Sequence, residues 1–148
     1  MTTENFDTTE EAEIRALVND RLVAIRLKNV NQLMYGYAPG ILSFDVVGPL
    51  QYSGPEAIKA RMEEWFSTFK GNIGLELSDL SIAAGKDVAF QCGLSHVSGT
   101  KIDGGELDMW WRETIGYQKI DGNWIITHQH SSVPFDVKSG KASLDLQP

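Results

Sequence analysis

Cysteine is nearly absent from this chain. Cys92 stands alone among 148 residues, so no internal disulfide can form, and a reducing cytoplasm fits. Positive charge is also scarce: 13 Lys and Arg face 20 Asp and Glu. The net charge of −7 argues against nucleic acid or an anionic membrane as a partner. No apolar run approaches the roughly 18 residues that a bilayer-spanning helix needs. The opening stretch, MTTENFDTTEEAE, has neither the basic nor the apolar region of a secretory leader, so no signal peptide is expected. What remains is 42% hydrophobic and 22% charged, an ordinary balance for one globular domain over 1–148. Its core is expected from about residue 10 to residue 134, followed by a polar, fraying tail over 136–148.

Residues 1–7 read as a loose lead-in. Thr8-x-x-Glu11 then fits a capping box, in which the two side chains satisfy free backbone N–H groups. Ile14, Leu17, Val18, Leu22 and Ile25 follow at helical spacing and predict an amphipathic helix ending near Asn29. Asn31 is placed to cap a short second helix through Met34 and Tyr35, stopped by Gly36 and Pro39. Ile41–Val47 (ILSFDVV) predicts a strand, broken by Gly48-Pro49. Ser53 and Glu56 match a second capping box, with Pro55 in the first turn, where its missing N–H costs little. The helix behind it would turn Ile58, Met62, Trp65, Phe66 and Phe69 to one face and end at Gly71.

Beyond Gly71 no helix signal remains. Four strands are predicted over 75–84, 87–98, 106–120 and 123–133, and Asp121-Gly122 between the last two is the strongest hairpin signal in the chain. Helices first and antiparallel strands last is the α+β pattern. Strands this long curve, and a curved sheet closed by helices encloses a cavity. The other sheet face also carries apolar residues, so a homodimer is expected to bury it.

Several residues in these strands suit chemistry. Asp45 lies between Phe44 and Val46, where a carboxylate is either at an edge or buried with a raised pKa, the second suiting a general base. The plainer reading is a strand-end Asp bonded to a turn amide near Gly48. Arg112 lies in mid-strand. Alternation puts Asp108, Trp110, Arg112 and Thr114 on one face and Met109, Trp111, Glu113, Ile115 and Tyr117 on the other. We expect Arg112 and Trp110 to face the cavity, where a guanidinium beside an indole would bind a carboxylate or enolate, and Trp111 and Tyr117 to face a partner subunit. The plainer reading makes Arg112 a structural partner of Asp45, Asp108 or a Glu.

His128 and His130 share a strand face unless a bulge intervenes, and His-x-His on a strand can supply two metal ligands. No third ligand follows at a telling spacing, so the pair reads as a hydrogen-bonded cluster at the cavity wall, with His130 joining the pocket and His128 the more structural of the two. No metal and no cofactor are expected. His96, among Phe90, Cys92 and Leu94, reads as a core histidine that could border the pocket. Tyr35 and Trp65 are helix aromatics able to line it, although helical spacing alone explains Trp65 as core.

Three segments together resemble the SnoaL-like members of the NTF2-like superfamily, which includes ketosteroid isomerase and the association domain of calmodulin-dependent kinase II. ALVNDRLVAIRLKNVNQLMYGYAPGILSFD is similar to the family's long helix, short helix and first strand. YSGPEAIKARMEEWF resembles its third helix, and RETIGYQKIDGNWIITHQHSSVP its closing strands, the most specific of the three. The resemblance implies a cone-shaped, cystatin-like fold: helices packed on a strongly bent antiparallel sheet around a pocket, usually dimeric or larger. It also places Asp45 on the general base of the isomerase, which implies proton abstraction next to a carbonyl. The places of that enzyme's oxyanion donors hold Leu22 and Thr114 instead. An isomerase- or cyclase-type enzyme acting on an apolar or carboxylate-bearing small molecule is thus the leading expectation, with Asp45, Arg112 and His130 catalytic and Tyr35, Trp65, His96, Trp110 and His128 around the ligand. A non-catalytic binding or oligomerisation module is the alternative. An epoxide-hydrolase-like set of Asp45, Asp108 and Arg112 ranks third.

Overall fold

The capping box at Thr8 forms: its Oγ1 accepts the Glu11 N–H at 3.2 Å, and Glu11 Oε2 accepts the Thr8 N–H at 3.4 Å. From it runs helix α1, Thr9–Arg26, in a computed structural model that describes residues 8–148. The lead-in expected over residues 1–7 lies outside the described residues. Ile14, Val18, Leu22 and Ile25 are all buried, so the stripe predicted from helical spacing is the packed one.

Helix α2, Val30–Met34, follows at once. Its cap is Asn29, not Asn31, with the Asn29 side chain accepting the Gln32 N–H at 3.1 Å. The first strand, β1, is Tyr37–Phe44, displaced toward the N-terminus from the predicted 41–47. Pro39 does not stop it: its missing N–H costs nothing where β1 makes no bond, in the register gap between Tyr37 and Leu42. Strand β2, Tyr52–Ser53, is short. Helix α3, Pro55–Ser67, is capped by Gly54 at φ 85° with no side-chain bond, so the expected Ser53/Glu56 box does not form. Ser53 is held in β2 instead, paired with Leu42. The helix stops at Thr68. Phe69, read as its last apolar residue, opens β3, and Gly71 at φ 78° lies within that strand at a register shift.

The sheet completes with β3 (Phe69–Ala84), β4 (Val88–Lys101), β5 (Glu106–Ile120) and β6 (Asn123–Ser132). Strand order is β2-β1-β6-β5-β4-β3, antiparallel throughout except for the parallel pair β1–β6. The β5–β6 turn takes the two positive φ values that Asp-Gly accommodates, 51° at Asp121 and 82° at Gly122. Helices α1 and α3 cover the concave side, and the core of Ile14, Val18, Ile41, Ile58, Val97 and Ile115 lies between the layers. The expected α+β cone is therefore the observed fold.

The two faces of the strands are interchanged relative to expectation. Gln91, Ser95, Val97, Glu113, Ile115 and Tyr117 are buried on the concave face. Phe90, Cys92, Leu94, His96, Trp110 and Arg112 lie on the convex one, paired across β4–β5 as Leu94 with Arg112 and His96 with Trp110. Residue type does not decide the faces, because both mix apolar and polar side chains: Trp111, Ile115 and Tyr117 lie beside Gln91, Ser95 and Glu113 on the concave face, and Phe90 and Trp110 beside His96 and Arg112 on the convex one.

Candidate ligand cavity

Between α1, α3 and the concave face lies a cavity of about 260 Å³. Met62 and Trp65 of α3, Leu75 of β3, and Met109 and Trp111 of β5 form its apolar wall. The two indoles meet at an angle, centroids 6.0 Å apart. Ser43 and Asp45 on the β1 side and Gln129 and Ser131 of β6 form a polar wall. Gln129 is fixed at both ends of its amide: Oε1 accepts from Tyr37 at 2.8 Å, and Nε2 donates to Ser43 Oγ at 2.9 Å.

Two carboxylates face this space, each with its own guanidinium. Asp45 Oδ2 accepts from Arg61 Nε at 3.1 Å, and Oδ1 accepts the Val46 N–H at 2.6 Å. Glu113 Oε1 accepts from Arg21 Nη1 at 3.2 Å and from Gln91 Nε2 at 3.5 Å. Burial alone would strip charge from Arg21, but Glu113, aided by Tyr37 and Tyr117, outweighs it and holds the guanidinium above its ordinary pKa. Tyr117 is pushed the other way, up to about 12, because burial disfavours a phenolate more than nearby Arg21 favours it. Its hydroxyl approaches Gln91 and Arg21 without a hydrogen bond of good geometry, and with Trp111 Nε1 and Ser95 Oγ it is a buried polar atom without a partner among the described residues.

Of the residues singled out in the sequence, the structure brings Asp45 and Trp65 together in the cavity, and Asp45 and His130 together in a more open depression at the ends of β1 and β6. Asp45 is ion-paired rather than isolated between apolar neighbours. Arg112 is on the convex face and donates to Ser132 Oγ at 3.1 Å. Trp110 stacks there on His96, centroids 4.4 Å apart and planes 2° from parallel, and His96 Nε2 lies 2.7 Å from Asp108 Oδ1. Asp108 is bonded to His96, Asp45 to Arg61 and Arg112 to Ser132, so the structure does not bring the epoxide-hydrolase-like set together. His128 and His130 share the convex face, because a bulge between Ile126 and His128 turns Gln129 and Ser131 inward. His128 Nδ1 contacts Leu42 O at 2.8 Å, and both imidazoles pack edge-on against Phe44. Tyr35 is 82% exposed beside a separate depression near Tyr117 and Trp124. Among the described residues, no three His, Cys, Asp or Glu are placed to hold a metal.

Arg21, Arg61 and Glu113 were missed by sequence reasoning, and a signal for each existed. Arg21 is three residues after Val18 and four before Ile25; Arg61 is three after Ile58 and four before Trp65. Both guanidinium groups therefore sit on the apolar stripe of a helix, where a charge requires a partner. Glu113 alternates with buried Ile115 and Tyr117.

A helix-covered, strongly bent sheet of this order defines the NTF2-like fold. An NTF2-like protein of unknown function from Pseudomonas putida KT2440 superposes with a TM-score of 0.88 at 31% identity, covering 97% of this chain and 100% of the other. The chain belongs to the SnoaL-like domain family, whose model matches residues 14–136. A Xanthomonas campestris protein named for the calcium/calmodulin-dependent protein kinase II association domain matches with a TM-score of 0.75 at 25% identity, over 88% of this chain and 91% of its own. A ketosteroid isomerase-like protein from Erwinia carotovora atroseptica shares the fold, with a TM-score of 0.72 at 17% identity over 85% of this chain and 97% of its own. Among curated proteins none matches the chain. Among the described residues no helix is long and apolar enough to cross a membrane.

Proposed function

We propose that the cavity binds an apolar small molecule bearing a carbonyl or carboxylate oxygen, and that Asp45 acts on it as a general base in an isomerase- or cyclase-type reaction. The observation that carries this reading is the Asp45 carboxylate facing a cavity walled on its other side by Trp65, Trp111, Met62 and Met109. Arg61 orients the base. Arg21 and Arg61 take the electrostatic role that the sequence suggested for Arg112, since both border the cavity and Arg112 does not. A base positioned this way removes a proton next to the carbonyl and returns it to a neighbouring carbon as the enolate collapses.

The test needs no knowledge of the product. Apolar ketones are incubated with the protein in D₂O, and deuterium entry at the carbon next to the carbonyl is followed by NMR. Wild type should speed exchange of a ketone that it binds, and Asp45→Asn should abolish the acceleration while still binding. Unchanged exchange in Asp45→Asn would remove Asp45 from the role.

A non-catalytic binding module is the second reading. It is favoured by the engagement of both Asp45 oxygens, one by Arg61 and one by the Val46 amide. Binding without exchange for any ketone would select it. For the convex face, where Phe90 is 49% exposed in the same row of β4 as Leu94 and His96, a second copy of this chain is our proposed partner. Sedimentation should give a dimer that Phe90→Asp dissociates, and a monomeric wild type would end the idea. A cytoplasmic location remains our reading for a chain with a single, unpaired thiol.

A further inference from the structure

The tail read from sequence as polar and fraying is an organised loop. After β6 the chain turns back on itself: the Asp136 N–H donates to Lys141 O at 2.8 Å, the Gly140 N–H to Asp136 O at 2.7 Å, and the Ser143 N–H to Pro134 O at 2.8 Å. Phe135 and Ala142 pair across its base. Asp136 clamps the tip. Its carboxylate accepts the Lys138 N–H at 3.1 Å, and this bond, with one from the Ser139 hydroxyl, holds its pKa below the usual carboxylate value. Gly140 supplies the reversal at φ 72°.

The loop delivers one side chain to the cavity. Leu144, the second residue after its closing pair, forms part of the apolar wall while remaining 52% exposed. It is half in the cavity and half in water, so an apolar ligand that reached it would bury the rest. Leu144 also lies beyond the stretch that the family model matches, which ends at 136. The cavity wall here therefore lies outside the stretch that the SnoaL-like model matches, while the Pseudomonas putida protein, which aligns with 97% of this chain, shares at least most of the loop.

We propose that residues 134–144 form a strap that sets the size of ligand the cavity accepts, with Leu144 as the specificity-determining contact. The proposal rests on reading the cavity as a ligand site, and it names the property selected: the length of the ligand's apolar portion. A Leu at the wall bounds that length sterically, and shortening it to Ala opens room for about three heavy atoms. One methylene in a hydrophobic pocket is worth roughly tenfold in affinity or more.

The experiment measures binding of straight-chain methyl ketones of increasing length to wild type, Leu144→Ala, Leu144→Phe and Val137→Ala. Val137 is 85% exposed on the same loop and serves as the control. Both positions are exposed enough for the three variants to fold. Leu144→Ala should bind the first ketone that wild type rejects at least roughly tenfold more tightly. Leu144→Phe should reject the longest one that wild type accepts, and Val137→Ala should match wild type. The same length profile in all four proteins overturns the strap and leaves the cavity reading standing. A shift produced equally by Val137→Ala also overturns it. Failure of every ketone to bind every protein removes the cavity reading, and the proposal with it.

Discussion

Arg61 Nε stands 3.1 Å from Asp45 Oδ2 and joins helix α3 to the chain just past strand β1. The side chains are 17% and 20% exposed, so the pair is neither a surface contact nor a fully buried one. Exposed pairs contribute up to about 1 kcal/mol, and breaking a buried pair costs about 3–5 kcal/mol. Arg61→Gln should therefore cost on the order of 1–2 kcal/mol in urea denaturation. A double-mutant cycle with Asp45→Asn should return a coupling of about 1 kcal/mol. Zero coupling would mean that Arg61 does not orient the carboxylate.

Arg112 and Arg61 should separate cleanly in binding. Arg112 donates to Ser132 on the convex face and does not border the cavity, so Arg112→Ala should leave ketone affinity unchanged. Arg61→Ala should weaken it severalfold, because Arg61 borders the cavity and fixes Asp45. Titration calorimetry on both variants checks this. A loss of affinity in Arg112→Ala with none in Arg61→Ala would return the pocket to the convex side.

The contrast between these two arginines shows what the residues reveal by themselves. The capping box at Thr8, the stripe from Ile14 to Ile25 and the Asp121-Gly122 turn are local features, decided within a few residues, and each forms where its spacing says. Alternation likewise sorts Trp110 and Arg112 from Trp111 and Glu113 correctly. It does not say which set points inward, because that depends on the helices packed against the sheet. Residue type does not decide it either: Ser43, Ser95 and Gln91 are inside, and Phe90 is outside. The bulge before His128 is set by pairing with β5, so no pattern within β6 announces it. The two inward arginines were legible by helical spacing, but their partners Asp45 and Glu113 come from distant strands.

The pair of Arg21 and Glu113 is the more deeply buried of the two, with side chains 15% and 7% exposed. Desolvating both charges offsets much of their attraction, so the pair adds little net stability, yet removing one partner strands the other. Glu113→Ala should cost about 3–5 kcal/mol. The combined Arg21→Met, Glu113→Leu variant should be far less destabilised than either single change, near wild type in denaturant midpoint. A double variant as unstable as the sum of the singles would show that the ion pair itself holds α1 against the sheet.

Tyr117 gives the fold a weakness at high pH. Its phenol is buried, 2% exposed, and its pKa is raised from 10.0 to about 12, first by burial. The unfolded chain loses this proton near pH 10 and the folded chain only near 12. A raised folded-state value stabilises the fold fully below the unfolded value, and that contribution disappears as pH climbs from about 10 through 12. Two units correspond to about 3 kcal/mol. Denaturation of wild type should thus weaken over this range more than that of Tyr117→Phe, which has no proton to lose. At neutral pH the same substitution removes a buried hydroxyl that has no hydrogen-bond partner, so Tyr117→Phe should be neutral or stabilising by up to about 1 kcal/mol. Parallel pH profiles for the two proteins would place the alkaline sensitivity elsewhere. A clear loss of stability in Tyr117→Phe at pH 7 would mean that the hydroxyl is satisfied, by water in the depression beside Arg21 and Gln32.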